Sequence, residues 1–115
     1  MEVKILNNVN LIGRLTKDAQ IVEMKSGNRS VINFILAVNK DFINDRGERE
    51  ADFIPISYWS NHGEKLCLHL KKGKLIGVNG RICVKSSVKE EIKKYFTTVE
   101  AYKIEFLEHN KEVLA

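Results

Sequence analysis

Proline is almost missing from this sequence, and cysteine is scarce. The one proline, Pro55, sits inside a run of β-branched and aromatic residues, so no proline-rich linker divides the 115 residues and no domain boundary can be drawn. Two cysteines, Cys67 and Cys83, cannot build the disulfide framework that staples small secreted domains, and both are expected as free thiols. No apolar run approaches the ~20 residues that a membrane-crossing helix needs. Polar and charged residues between Met1 and Asn10 also interrupt the unbroken apolar stretch of a signal peptide. A soluble cytoplasmic protein with no membrane partner is the expectation. The marks of enzymes are missing as well. There is no glycine-rich phosphate loop, no Gly-x-Ser-x-Gly elbow and no carboxylate pair set for acid–base work. His62, Cys67 and His69 do not share one helical face, and no Cys-x-x-Cys accompanies them. Neither catalysis, nor a metal, nor a cofactor is expected.

What remains is a chain with 43% apolar and 30% charged residues, an ordinary globular balance with enough apolar material for one core. Its net charge of +4 points to attraction for a polyanion, although many basic proteins never touch nucleic acid. Runs of β-branched and aromatic residues are separated by turn chemistry at Ser26-Gly27-Asn28, Asn44-Asp45-Arg46-Gly47 and Lys72-Gly73. Strands are predicted near 3–16, 20–25, 31–40, 51–59, 74–86 and 95–107. One segment departs from this pattern. From His62 to Lys71, Leu66, Cys67 and Leu70 recur at helical spacing, Asn61 and Glu64 suit the start, and Gly73 follows the end. Glycines 13, 77 and 80 interrupt apolar strands where a sharp bend or a close backbone approach would need them. The order fits an all-β fold, a five-stranded oligonucleotide-binding Greek-key barrel with one short helix between strands 3 and 4.

Side-chain parity locates a candidate surface. Along Ala51 to Trp59, Ile54, Ile56 and Tyr58 share the core face, while Phe53, Pro55, Ser57 and Trp59 share the other. Two aromatics beside a serine and a proline suit a platform for stacking unpaired bases. They equally suit a subunit contact or a site beneath a loop. Along Lys74 to Ser86, Ile76, Val78, Ile82 and Val84 point one way, and Asn79, Arg81, Cys83 and Lys85 the other. Arg81 and Lys85 then line one outer surface, and Lys71, Lys72 and Lys74 extend the positive charge across the preceding turn, as a groove tracking a sugar–phosphate backbone requires. Lys89, Lys93 and Lys94, interspersed with Glu90 and Glu91, read as solvated surface unless their hairpin closes over the strand. Outward-facing Ile35 and Ala37 leave more apolar surface than a lone barrel tolerates, which points to a homo-oligomer.

Two segments, Asn10-Leu11-Ile12-Gly13-Arg14-Leu15-Thr16-Lys17-Asp18 and Gly47-Glu48-Arg49-Glu50-Ala51-Asp52-Phe53-Ile54, make the chain resemble the bacterial-type single-stranded DNA-binding protein family. Further matches follow in order at Asn33-Phe34 to Ala37-Val38-Asn39, Leu70-Lys71-Lys72-Gly73, Gly77-Val78-Asn79-Gly80-Arg81 and Phe106-Leu107-Glu108. The resemblance runs from about residue 3 to residue 108. It implies the same barrel over 1–108, assembled as a homotetramer or a dimer, that wraps single-stranded DNA in replication, recombination and repair. It also implies stacking by Phe42, Phe53 and Trp59, with Lys72 and Lys85 at phosphate-contacting positions. Together with Lys74 and Arg81 from strand parity, these residues form the candidate DNA-binding set.

Departures accompany the match. Ser87 stands where many members carry another stacking aromatic, Pro55 where a polar or basic side chain is common, and Asn61 where a lysine can occur. Beyond a short extension at 109–115 the family's flexible tail with its acidic tip is not seen, so recruitment of repair proteins through it is not expected. A primosomal replication protein-like dimer that binds single strands and a partner protein is the alternative, and mass in solution separates the two.

Overall fold

The alternation that marks the strands in the sequence becomes the inside and outside of a barrel. In the computed structural model, residues 2–24, 29–61 and 63–108 are described. The elements are β1 (Val9–Leu15), β2 (Gln20–Glu23), β3 (Ser30–Ile43), β4 (Arg49–Ser60), α1 (Gly63–His69), β5 (Leu75–Lys89) and β6 (Ile92–Phe106). Strand order is β1-β5-β6-β4-β3-β2, and an additional β1–β3 pairing closes the five longer strands on themselves with β2 appended to β3. This is the predicted five-stranded oligonucleotide-binding barrel, with its short helix between β4 and β5.

Two seams of the barrel are short. β1 meets β3 only at Arg14↔Ala37 and Leu15↔Leu36. β4 and β6 run parallel and pair only at Ile56↔Val99 and Ser57↔Glu100 before diverging. Inside, Leu15, Ile32, Phe34, Leu36, Ile56, Ile76, Val78 and Val99 form one cluster that Leu70, just past α1, joins. Of the residues predicted for the inner face of β4, Ile56 is fully buried, while Ile54 and Tyr58 pack half-buried against the cluster.

Close approach explains two of the three strand glycines. A Cβ on Gly13 would stand 2.3 Å from the Ala37 carbonyl oxygen at the β1–β3 seam, and one on Gly80 would stand 2.2 Å from that of Glu100. Gly80 also marks a bulge, where register steps from Asn79↔Lys103 to Gly80↔Ala101. Gly77 departs from expectation, because its added Cβ would meet nothing nearer than 3.7 Å. Gly73 also has a different role from the predicted helix cap. The helix ends at His69, and Gly73 at φ +87° occupies the left-handed position of a turn in which Lys74 N donates to the Lys71 carbonyl at 3.1 Å.

Several strand ends differ from the sequence reading. The predicted strand from residue 3 begins only at Val9, because alternation makes a strand only where a neighbour supplies the ladder, and Val3, Ile5 and Leu6 are 77%, 85% and 92% exposed. Asn7 terminates the ladder with its side chain, donating to the Ile82 carbonyl at 2.9 Å and accepting from Ile82 N at 2.8 Å. At the far end, β5 and β6 continue to a two-residue turn at Glu90-Glu91, both at positive φ. Pairing across that tight turn holds Lys- and Glu-rich residues in strands against their low β-propensity. Beyond the barrel the inner face of this hairpin is bare, so Ile82 and Val84, predicted to face the core, are exposed. The predicted turn at Ser26-Gly27-Asn28, His62 at the helix start and the extension 109–115 lie outside the described residues.

Candidate nucleic-acid interface

Paired residues on neighbouring strands share a face, so register converts the outer stripe of β4 into rows crossing the sheet. Trp59 lies opposite Val31, Ser57 opposite Asn33, Pro55 opposite Ile35 and Phe53 opposite Ala37. The Ser57 row is polar throughout. It runs from Gln20 through Asn33 and Ser57 to Glu100 and Arg81, crossing β2, β3, β4, β6 and β5 in turn. On the β5–β6 side the outer face continues as Cys83 opposite Thr98, Lys85 opposite Phe96 and Ser87 opposite Lys94.

The two stripe aromatics remain accessible, Phe53 at 67% and Trp59 at 36%. They are six residue steps apart along the strand, which spans roughly 20 Å. Between them opens a groove of about 390 Å³, floored by Ile35 and Pro55 and walled by Lys17, Asp18, Gln20 and Thr98. The Arg29 guanidinium sits 5.4 Å from the Trp59 ring centroid, a cation over the most electron-rich ring of the chain.

The charged candidates divide into free and compensated groups. Lys85 is exposed and opposite Phe96, and Lys72 and Lys74 are exposed in the turn before β5. That turn is fixed at the end of the groove, because Asp18 Oδ1 accepts from Lys72 N at 2.8 Å and Gly73 N donates to the Leu15 carbonyl at 2.8 Å. Arg81 is on the predicted face, but its guanidinium donates to Glu100 at 2.9 Å. The hydrogen bond and charge of Glu100 raise the arginine pKa further above its ordinary value, so its charge is already balanced. Phe42 is 59% exposed near the end of β3, inside the break in register between Asn39 and Ile43, where alternation no longer assigns its face. The structure therefore groups Phe53, Trp59, Arg81 and Lys85, sets Lys72 and Lys74 at one end of the groove, and carries Phe42 on the projecting β3–β4 arm.

Sequence reasoning missed Phe96, half exposed on the same outer face as Lys85. Alternation alone sends one of Tyr95 and Phe96 to each side, and only the β5–β6 register says which. Asn33, Gln20, Thr98 and Arg29 were also missed, since isolated polar residues in strands carry no signal until their neighbours are known.

A small closed barrel with accessible aromatics on the outer face of β4, and cations on β5 and in the turn before it, defines an oligonucleotide-binding-fold protein. The comparisons narrow that class. Residues 6–107 match the sequence model of the single-strand binding protein family, and the chain belongs to that family. Single-stranded DNA-binding protein 1 of Clostridium acetobutylicum is 38% identical over 110 residues, covering 95% of this chain and 100% of that protein. The single-stranded DNA-binding protein of Halalkalibacterium halodurans is 46% identical over 105 residues, which cover 90% of this chain and 62% of the relative. A solved Plasmodium falciparum SSB in complex with ssDNA shares the fold with a TM-score of 0.78 at 24% identity, over 94% of this chain and 100% of that one.

Proposed function

We propose that the protein binds single-stranded DNA with broad sequence tolerance, stacking bases on Phe53 and Trp59 and on Phe42 of the projecting arm, while Lys72, Lys74 and Lys85 meet phosphates and Arg81, paired with Glu100, flanks the path without a phosphate contact of its own. The observation that carries this reading is the accessibility of Phe53 and Trp59 on one strand face, with a groove between them. An exposed aromatic pair on a β-stripe has little to gain in a monomer, whereas each stacked base is worth about 1–3 kcal/mol. The family membership and the names of the relatives support the same ligand. A role in DNA replication, recombination or repair in the cytoplasm is part of the proposal. Binding is non-catalytic.

Assembly with further copies of the chain, as a tetramer or a dimer, belongs to the proposal. Exposed Val3, Ile5 and Leu6 and the bare inner face of the hairpin at Ile82, Val84 and Val88 are apolar surface that a second copy would cover. Trp59 is the only tryptophan, so titration with oligo-dT tests the stacking role directly by quenching its fluorescence. Affinity should fall with salt at a log–log slope of about −0.7 per phosphate contact. Absence of quenching at low salt would refute the role of Trp59, and a flat salt response would refute the phosphate contacts.

A further inference from the structure

Two arginines border the stripe of aromatics, and they differ in what occupies their hydrogen-bond donors. Arg81 donates to Glu100 at 2.9 Å. Arg29 is exposed and has no carboxylate partner among the described residues. Glu23, the carboxylate of β2, pairs with buried Ser30 and so stands on the opposite face from Val31 and Trp59. Among the described residues, what holds the Arg29 side chain is the Trp59 ring, whose centroid lies 5.4 Å from the guanidinium carbon. Such a contact engages the charge of the cation and leaves the N–H groups in its plane free to donate. The separation exceeds the ~3.5–4 Å of carbon atoms in direct contact, so the guanidinium is not seated flat on the ring centre and leaves ring surface for a base.

The surroundings of Trp59 supply no other cation. Its row across the sheet runs through Val31 to Val22 and carries no charge. Lys72 and Lys74 belong to the turn that Asp18 holds, and Lys85 lies opposite Phe96 between β5 and β6. We propose that Arg29 and Trp59 form one nucleotide-binding unit, in which the ring stacks a base and the arginine, positioned by the ring, donates to the adjoining phosphate. The inference rests on the proposed binding of single-stranded DNA and deepens it. Arginine suits this place better than lysine, because a planar fork can lie against a ring and still present two parallel donors to a phosphate.

The test follows binding of dye-labelled oligo-dT to the full chain by fluorescence anisotropy across a salt series, so that Trp59 is not needed as the probe. Arg29→Gln is expected to weaken binding at low salt about fivefold, the equivalent of one hydrogen bond. Its log–log salt slope should be shallower by about 0.7, the share of one phosphate contact. Arg29→Lys keeps the charge and should restore the slope. Lys65→Gln, on the exposed side of α1, removes the same charge away from Trp59 and should leave the slope unchanged. In a Trp59→Leu background the further loss from Arg29→Gln should shrink below about twofold, because the ring no longer positions the arginine. An unchanged slope in Arg29→Gln, an equal change in Lys65→Gln, or tighter binding by Arg29→Gln would overturn the unit while the unmodified protein still binds. A full fivefold loss in the Trp59→Leu background would overturn positioning by the ring. Absence of binding by the unmodified protein would overturn this unit and the proposed function together.

Discussion

Replacing Phe53 by alanine should remove affinity for single-stranded DNA while leaving the fold nearly intact, a separation that follows from where the ring sits. Full burial of a phenylalanine side chain contributes about 1.5–3 kcal/mol. With 67% of Phe53 exposed, only about one third of that, roughly 0.5–1 kcal/mol, is at stake in the free protein. On a domain of this size such a loss lowers Tm by roughly 2–6 °C. The same ring stacked on a base contributes about 1–3 kcal/mol, so oligo-dT affinity should fall by about 5- to 150-fold. Trp59 remains in the variant, so its quenching supplies the binding isotherm, and thermal unfolding followed by circular dichroism supplies Tm. The stacking argument fails if affinity changes less than about twofold. It fails in a different way if Tm drops by more than about 10 °C, because the ring would then be a packing residue.

Three further outcomes follow from particular contacts. Glu100→Gln should release the Arg81 guanidinium from its 2.9 Å partner, strengthen binding at low salt and steepen the salt slope by about 0.7, measured by quenching across a salt series. Gly13→Ala and Gly80→Ala should each destabilise by at least about 1–3 kcal/mol, because the new methyl meets a backbone carbonyl, whereas Gly77→Ala should be tolerated, and denaturant unfolding reads the contrast. Replacing the hairpin turn by Glu90→Asn with Glu91→Gly relieves two non-glycine residues at φ 53° and 66°, and should stabilise by about 1–2 kcal/mol with a higher Tm.

Much of the candidate interface was legible because a strand alternates its side chains with period two, a rule that holds without any partner strand. Alternation alone put Phe53 and Trp59 on one face of β4, and Arg81 and Lys85 on one face of β5. It could not show that Glu100 neutralises Arg81, because that pair exists only through a register linking residues on different strands. Nor could it place Phe42, which lies within a break in pairing.

The sequence by itself determined the class of fold, most of the core, and the parity of β4 and of the barrel part of β5. All of these depend on local spacing of apolar residues and on turn chemistry. Only the tertiary structure decided which rows cross the barrel. Strand pairing is non-local, and a bulge such as the one at Gly80 changes the partner of every residue beyond it. That register brought Phe96 beside Lys85, aligned Gln20, Asn33 and Ser57 along one groove, and left Val3, Ile5 and Leu6 without a ladder partner among the described residues.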